Sequence, residues 1–549
     1  MIKKEGQLKF KTREICKKNG HFIVSFVLIL PFLYYLFGIR AYIPGFDEAC
    51  QIEAAIRLSD GYGNTYSLIE NEDISMPNFS FQNAWPIGYS SSLAFLLFMG
   101  LPLAYTLKLF KLSIIIATIF AWLKLSEFFI KDIWLKILFS CVISGYVIKY
   151  AQSVTDMIVV LFISIFSILL LSRTWKDKSD QSYWYKRTRD PLAIGLLIAT
   201  MILFKYSGMF LIASCSFWII FMHNGLKKKS ILSFLKFSIP VVLIIGFTIV
   251  NKLNSPTSLY AINTSKFVLN IPFFYQGWAD DIFNAIFQST YLEKIIIAII
   301  PSVAGKFSYI IVFVKVVFVI VFFTTLLLLF RKGGKIREIS IWIIVNYLAL
   351  IIFLKVVSGL YFEDVLHWLP LKEGRFYWPL LPFLPLGILI VLESKWNFLS
   401  TMSKATVTAG TTIALLAGIC FYAHYNYNKY KSLNYEMPLL ESALLKVIKS
   451  DTNVIVFCDQ INWQLYPYKG KYNVLDQPPK FSTNQYFSKK TTVIMLYNSN
   501  NYLSAGNDVE LGSTKIFRGI ANTWGFNEVK VGKFTTMFWR EFPAGFSFK

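Results

Sequence analysis

YSSSLAFLLFMGLPLAY, residues Tyr89 to Tyr105, decides the topology of this chain. It is apolar and close to the length of roughly 20 residues that crosses the hydrocarbon core of a bilayer. If it crosses, the stretch 173–190, with Arg173, Lys176, Lys178, Lys186, Arg187 and Arg189, falls on the side opposite the basic N-terminus (Lys3, Lys4, Lys9, Lys11, Arg13, Lys17, Lys18). Short basic tracts collect on one side of a membrane. The segment 89–105 is therefore expected to lie at the interface without crossing, which returns 173–190 to the side of the N-terminus.

The other apolar runs fall into place around that choice. They lie at 22–39, 107–126, 134–150, 155–172, 191–222, 237–253, 307–330, 339–357, 377–392 and 405–423. As one helix, 191–222 would reach about 48 Å against a core of about 30 Å. It is expected to be a hairpin of two spans, with its one charge, Lys205, at the turn. Lys227–Lys229 and the tract Arg331, Lys332, Lys335 and Arg337 then share the side of the N-terminus. The expected fold is an all-α polytopic membrane domain of about eleven transmembrane helices with a small external α/β domain at the C-terminus. Residues 1–21 are a cytoplasmic N-terminus, 22–423 the membrane domain with a first external loop at 40–106, and 424–549 the external domain. Val454–Phe457 and Val493–Leu496 read there as short strands and Pro438–Lys449 as helical.

Composition agrees with this layout. Hydrophobic residues make up 55% of the 549, with 51 Phe, and the mean hydropathy is +0.51, more than a soluble core can hide. The net charge of +23 is spread over short tracts between apolar runs instead of one basic domain, which argues against nucleic acid as a partner. The six Cys show no CxxC or Cys/His spacing suited to zinc or a disulfide framework. The first apolar run ends without a cleavage site and reads as an uncleaved span.

Ionisable residues at membrane depth are costly and usually functional. In this topology they share the external face. Asp47 and Glu48 open the first external loop, Asp156 sits between the third and fourth spans, Lys205 at the hairpin turn, and Arg375 at the start of the tenth span. Carboxylates facing cations outline a site for an anionic substrate. DEACQIEAAIRL (Asp47 to Leu58) places Ala49, Ile52, Ala55 and Ile56 on one stripe, as in an amphipathic helix on the membrane surface, closed by Asp60-Gly61.

The order of these motifs resembles the C-type-fold (GT-C) glycosyltransferases, in the branch of protein O-mannosyltransferases and the lipid A aminoarabinose transferase. It is carried by the DE pair, Trp85-Pro-x-Gly-Tyr89, Asp156, Lys205-Tyr-Ser-Gly208 and Arg375-Phe-Tyr-Trp-Pro-Leu-Leu-Pro382, over roughly residues 20–395. The resemblance implies a multi-pass protein of the inner (cytoplasmic) membrane with an external, periplasmic active site. It also implies a polyprenyl-phosphate-linked sugar donor and a glycan, lipid or protein hydroxyl as acceptor. By the same resemblance Asp47 is the general base, with Glu48 beside it and Asp156 orienting a substrate, while Lys205 and Arg375 hold the phosphate. Such a displacement needs a base at the incoming hydroxyl and cations at the departing phosphate, and a phosphodiester leaves without a general acid. Trp85, Tyr89, Tyr377 and His367 are further expected substrate contacts, His367 as a binding residue instead of a catalytic one. There is no DxD pair near Asp156, so a divalent cation at Asp47 and Asp156 stays open. No WWDYG-like motif points to an oligosaccharyltransferase. A transporter or lipid flippase would show internal repeats with broken spans, which the sequence lacks. A polysaccharide ligase or polymerase would share the donor class and differ in pocket size.

Overall fold

The computed structural model describes residues 2–38, 46–68, 72–76, 78–81, 86–150, 153–174, 191–222, 228–253, 267–269, 307–362, 379–458, 473–475, 479, 481–498, 516–532 and 535–548. The chain divides into two compact units. One comprises Met1–Phe32, Leu112–Val250 and Ala261–Cys420, and the other Leu33–Lys111, Asn251–Tyr260 and Phe421–Lys549.

Helices account for most of the described chain: α1 (Ile2–Gly38), α2 (Phe46–Ser59), α3 (Ile87–Phe98), α4 (Leu103–Glu127), α5 (Ile133–Tyr150), α6 (Val154–Thr174), α7 (Pro191–Phe204), α8 (Phe210–Phe217), α9 (Lys228–Leu253), α10 (Phe307–Arg331), α11 (Gly334–Gly359), α12 (Phe383–Trp396) and α13 (Thr401–Val447). Among the described residues six helices are long and apolar enough to cross a membrane. Side chains on their outer faces, such as Val242 and Leu243 on α9 and Ile413 and Phe421 on α13, are more than 60% exposed. In water that surface would be costly; in lipid it is in its own solvent. The chain is a multi-pass membrane protein.

α3 spans 12 residues, about 18 Å at 1.5 Å per residue, well short of the core. Gly100 ends it in the left-handed region at φ +83°, and α4 begins anew at Leu103. This length fits a segment that does not cross. The apolar run 191–222 breaks at Lys205, whose extended backbone (φ −155°, ψ 119°) separates α7 from the short turn Tyr206–Met209 and α8. Gly208 packs against the Met201 side chain.

In the first unit the helices alternate, so that chain ends of one kind meet. His21 on α1 pairs with Glu127 at the end of α4 at 3.2 Å. Lys404 at the start of α13 pairs with Asp132 before α5 at 2.9 Å. Glu393 near the end of α12 accepts the Asp132 amide at 3.0 Å, and Lys332 after α10 donates to the Ile390 carbonyl at 2.9 Å. These ion pairs and turns mark one end of the bundle. Between the ends the packing is apolar and aromatic. Trp342 on α11 donates to Ser167 on α6 at 2.7 Å and stands edge-on to Trp218 at 5.4 Å; Trp122 on α4 meets Phe383 on α12 at 5.0 Å.

In the second unit α2 packs on α3. The expected stripe Ile52, Ala55 and Ile56 is buried, but so are Glu48, Gln51, Glu53 and Arg57. The polar side chains on α2 are therefore covered along with its apolar stripe, more than an amphipathic helix on the membrane surface requires. Gly61, at φ +86°, turns the chain away from its end. A hairpin of β1 (Thr65–Leu68) and β2 (Asn78–Phe81) follows.

Five strands of the C-terminal segment of the same unit, β3 (Asn453–Cys458), β4 (Asn473–Leu475), β5 (Thr491–Asn498), β6 (Asn527–Lys530) and β7 (Thr535–Phe542), form a sheet in the order β4-β3-β5-β7-β6. β3 runs parallel to β4 and β5, and β7 antiparallel to β5 and β6. Both faces are covered, which is why β3 and β5 read as continuous β-branched runs instead of alternating ones. Val454, Val456, Ile494 and Leu496 face Leu440, Leu444 and Val447 of α13. Ile455, Phe457, Val493 and Met495 face Phe517 and Ala521, from a short helix at 516–523, together with Ile74. α13 continues without a break through residue 424 as far as Val447, with Pro438 inside it.

Ile74 comes from the first long loop, which adds itself to the sheet region as a strap. The Ile74 amide donates to the Tyr486 carbonyl and the Tyr486 amide to that of Glu72, at 2.9 and 2.8 Å. Asp73 Oδ1 accepts the amides of Ser75 and Ser488 at 3.0 and 3.1 Å, and Asn453 donates to the Ser75 carbonyl at 2.8 Å. Partial burial pushes the Asp73 carboxyl up, but hydrogen bonds from Ser488 and Ser75 outweigh it and hold the group below its ordinary value of 3.8.

Candidate functional site

Two polar clusters, one in each unit, contain expected site residues. In the helical bundle, α6 begins at a Ser153-x-x-Asp156 cap in which the Ser153 hydroxyl donates to Asp156 Oδ2 at 2.6 Å. The acid sits in the first helical turn, where the helix dipole favours it. Its other oxygen, Oδ1, meets the Lys205 ammonium at 3.2 Å. Lys205 also lies 3.5 Å from the Thr155 hydroxyl. The side chains of Lys205 and Asp156 are 12% and 6% exposed, so the pair is largely removed from water. Asp156 is thus more than a cap: the break between α7 and α8 exists at the position that lets Lys205 reach it.

Two charges withdrawn from water are retained only where each finds a partner. The carboxylate fixes the position of the ammonium, and an ammonium has three N–H donors. Asp156 and Thr155 engage two of them.

In the second unit, Tyr89 on α3 is 1% exposed and Glu48 on α2 5%. The Tyr89 hydroxyl donates to Glu48 Oε1 at 2.7 Å, which ties together two residues singled out separately in the sequence. Lys111 on α4 is buried within electrostatic range of Glu48. Sequence reasoning missed Lys111, although a lysine inside the apolar run 107–126 was the available signal. Asp47 lies in the first turn of α2, and its side chain falls outside what is described. Trp85, His367, Arg375 and Tyr377 lie outside the described residues altogether. Among the described residues no three metal-ligating side chains gather into one group, and Cys50, Cys141, Cys215, Cys420 and Cys458 are free thiols.

These features define a multi-pass helical membrane protein with buried ion pairing at one bundle end and a C-terminal segment that folds around a mixed sheet. The crystal structure of ArnT from Cupriavidus metallidurans in the apo state superposes on 97% of this chain and 98% of its own, with a TM-score of 0.51 and 11% identity. ArnT from the same organism bound to undecaprenyl phosphate aligns over 95% of this chain and 98% of its own, with a TM-score of 0.47 and 11% identity. The resemblance to the GT-C glycosyltransferases therefore holds at the level of the fold, which the chain shares with apo ArnT along nearly its whole length. No family model matches the sequence, and no curated protein matches it.

Proposed function

We propose that the chain is a glycosyltransferase that moves a sugar from a polyprenyl-phosphate donor to a hydroxyl of a glycan, lipid or protein on the external face of the inner membrane. The observation that carries this reading is the buried Asp156–Lys205 pair at the bundle end, 3.2 Å apart, in a chain with the fold of ArnT. In this reading eleven spans carry the active site outward and residues 424–549 form an external α/β domain.

Lys205, fixed by Asp156, meets the charge that develops on the departing lipid phosphate, and Arg375 shares that load. Asp47 takes the proton of the acceptor hydroxyl as it attacks the anomeric carbon. Glu48, held by Tyr89, keeps the start of α2 in place. One in-line displacement inverts the anomeric carbon, with no covalent sugar-enzyme intermediate. Trp85, Tyr377 and His367 contact donor or acceptor, and a divalent cation at Asp47 and Asp156 is compatible with the same displacement.

The test is transfer of labelled sugar from synthetic polyprenyl-phosphate donors by the purified full chain in lipid nanodiscs. Asp47→Asn abolishes transfer while the protein stays folded, and Lys205→Ala weakens donor binding. Full activity in folded Asp47→Asn would remove Asp47 as the base, and unchanged donor affinity in Lys205→Ala would remove the phosphate role.

A further inference from the structure

We propose that the bundle end carrying the basic turns holds a binding site for the phosphate headgroup of an anionic phospholipid. A cavity of about 720 Å³ opens there, walled by the turn between α4 and α5, the turn between α10 and α11, and the end of α12. Lys131, Lys332 and Lys335 line it with Asp132 and Glu393.

The fold's own donors already occupy both acids. Asp132 Oδ1 accepts the amides of Trp134 and Leu135 at 2.8 and 3.3 Å, capping α5, and Oδ2 takes the Lys404 ammonium at 2.9 Å. Glu393 Oε1 accepts the amides of Lys131 and Asp132. Three lysines thus share the lining with two carboxylates that the fold holds in place, which leaves the cavity a surplus of one positive charge. Its volume falls within the range of small-molecule sites. Basic pockets between membrane helices on the cytoplasmic side hold anionic headgroups, drawn by lysines near the bilayer surface.

The neighbouring surface favours a lipid over a free phosphate. α10 carries Phe323, Leu327 and Phe330, which are 54, 52 and 42% exposed, on the approach to Lys332, and Phe128 at the cavity itself is 39% exposed. Acyl chains can lie along these side chains while the headgroup enters among the lysines. The proposed transfer site contributes nothing to this inference.

Delipidated full-length protein is titrated with phosphatidylglycerol, phosphatidylcholine or inorganic phosphate and followed by native mass spectrometry. Phosphatidylglycerol is retained about tenfold better than phosphatidylcholine, as expected from one to two lysine contacts. Lys131→Ala with Lys335→Ala erases the preference, while Lys228→Ala with Lys229→Ala, an equal charge change outside the cavity, keeps it. Lys131→Ala alone, at an exposed side chain, lowers retention about fivefold if the double variant does not fold. Equal retention of the two lipids, displacement of lipid by inorganic phosphate, or undiminished retention in the Lys131 variants would each overturn the site.

Discussion

Asp156→Asn and Lys205→Met, made singly and together, form a double-mutant cycle on the buried pair. At 3.2 Å two unit charges attract with about 5 kcal/mol at an effective dielectric constant of 20. Desolvation offsets much of that, so the pair adds little net stability, but removing one partner leaves the other charge buried and costs about 3 kcal/mol. With both replaced, Asn and Met fill a similar volume without charge, and most of that cost disappears. With about 3 kcal/mol lost in each single variant and about 1 kcal/mol in the double, the cycle should show a coupling of about 5 kcal/mol. It is measured by reversible unfolding in mixed micelles, followed through tryptophan fluorescence. If the single costs simply add, with coupling under about 0.5 kcal/mol, the two side chains do not hold each other and the proposed phosphate-binding role of Lys205 loses its anchor.

Tyr89→Phe strips Glu48 of its buried donor and is expected to cost about 2 kcal/mol; a melting temperature equal to that of the parent would show that the 2.7 Å contact is not formed. Gly195→Ala drives a Cβ into the Phe237 carbonyl oxygen, a backbone atom that cannot rotate away, so α7 and α9 must separate at about 3 kcal/mol, the upper range for overpacking; normal expression and melting would refute that close approach. Ile74→Ala, at a side chain 3% exposed in the core of the sheet region, is expected to cost about 3 kcal/mol and to raise hydrogen exchange at 486–488. The strap should also loosen with acid: Asp73 titrates below its ordinary value, so its contribution is complete above about pH 4 and is lost as pH falls through the lower folded value. Exchange at 72–76 that stays flat from pH 5 to about pH 3, once corrected for the intrinsic rate, would contradict this.

The helices were legible where burial in lipid alone dictates them. The apolar runs at 134–150, 155–172 and 237–253 lie inside α5, α6 and α9, and the β-branched runs at 454–457 and 493–496 lie inside β3 and β5. The helical reading of Pro438–Lys449 holds as far as Val447, but its continuity with the apolar run was not legible: α13 carries on through polar residues 424–437 to last turns that are buried against the sheet, a tertiary effect. The burial of Glu53 and Arg57 was hidden for the same reason, since periodicity shows an apolar stripe but not what covers the other face. At the candidate site, charge placement singled out Asp156 and Lys205 separately. Their pairing across 49 positions, like that of Glu48 with Tyr89, depends on how helices pack and has no local signature. Asp73 and Ser75 passed as loop residues because their partner, Ser488, lies far along the chain.

The most direct measurement of the donor chemistry is product analysis by NMR after purified protein in nanodiscs is given a polyprenyl-phosphate sugar of defined anomeric configuration and a hydroxyl acceptor. The expected result is free polyprenyl phosphate together with a glycoside of inverted configuration, lowered in Lys205→Ala and most strongly at low donor concentration. A donor that keeps its sugar across all acceptors tried, or a product that retains the donor configuration, would contradict it.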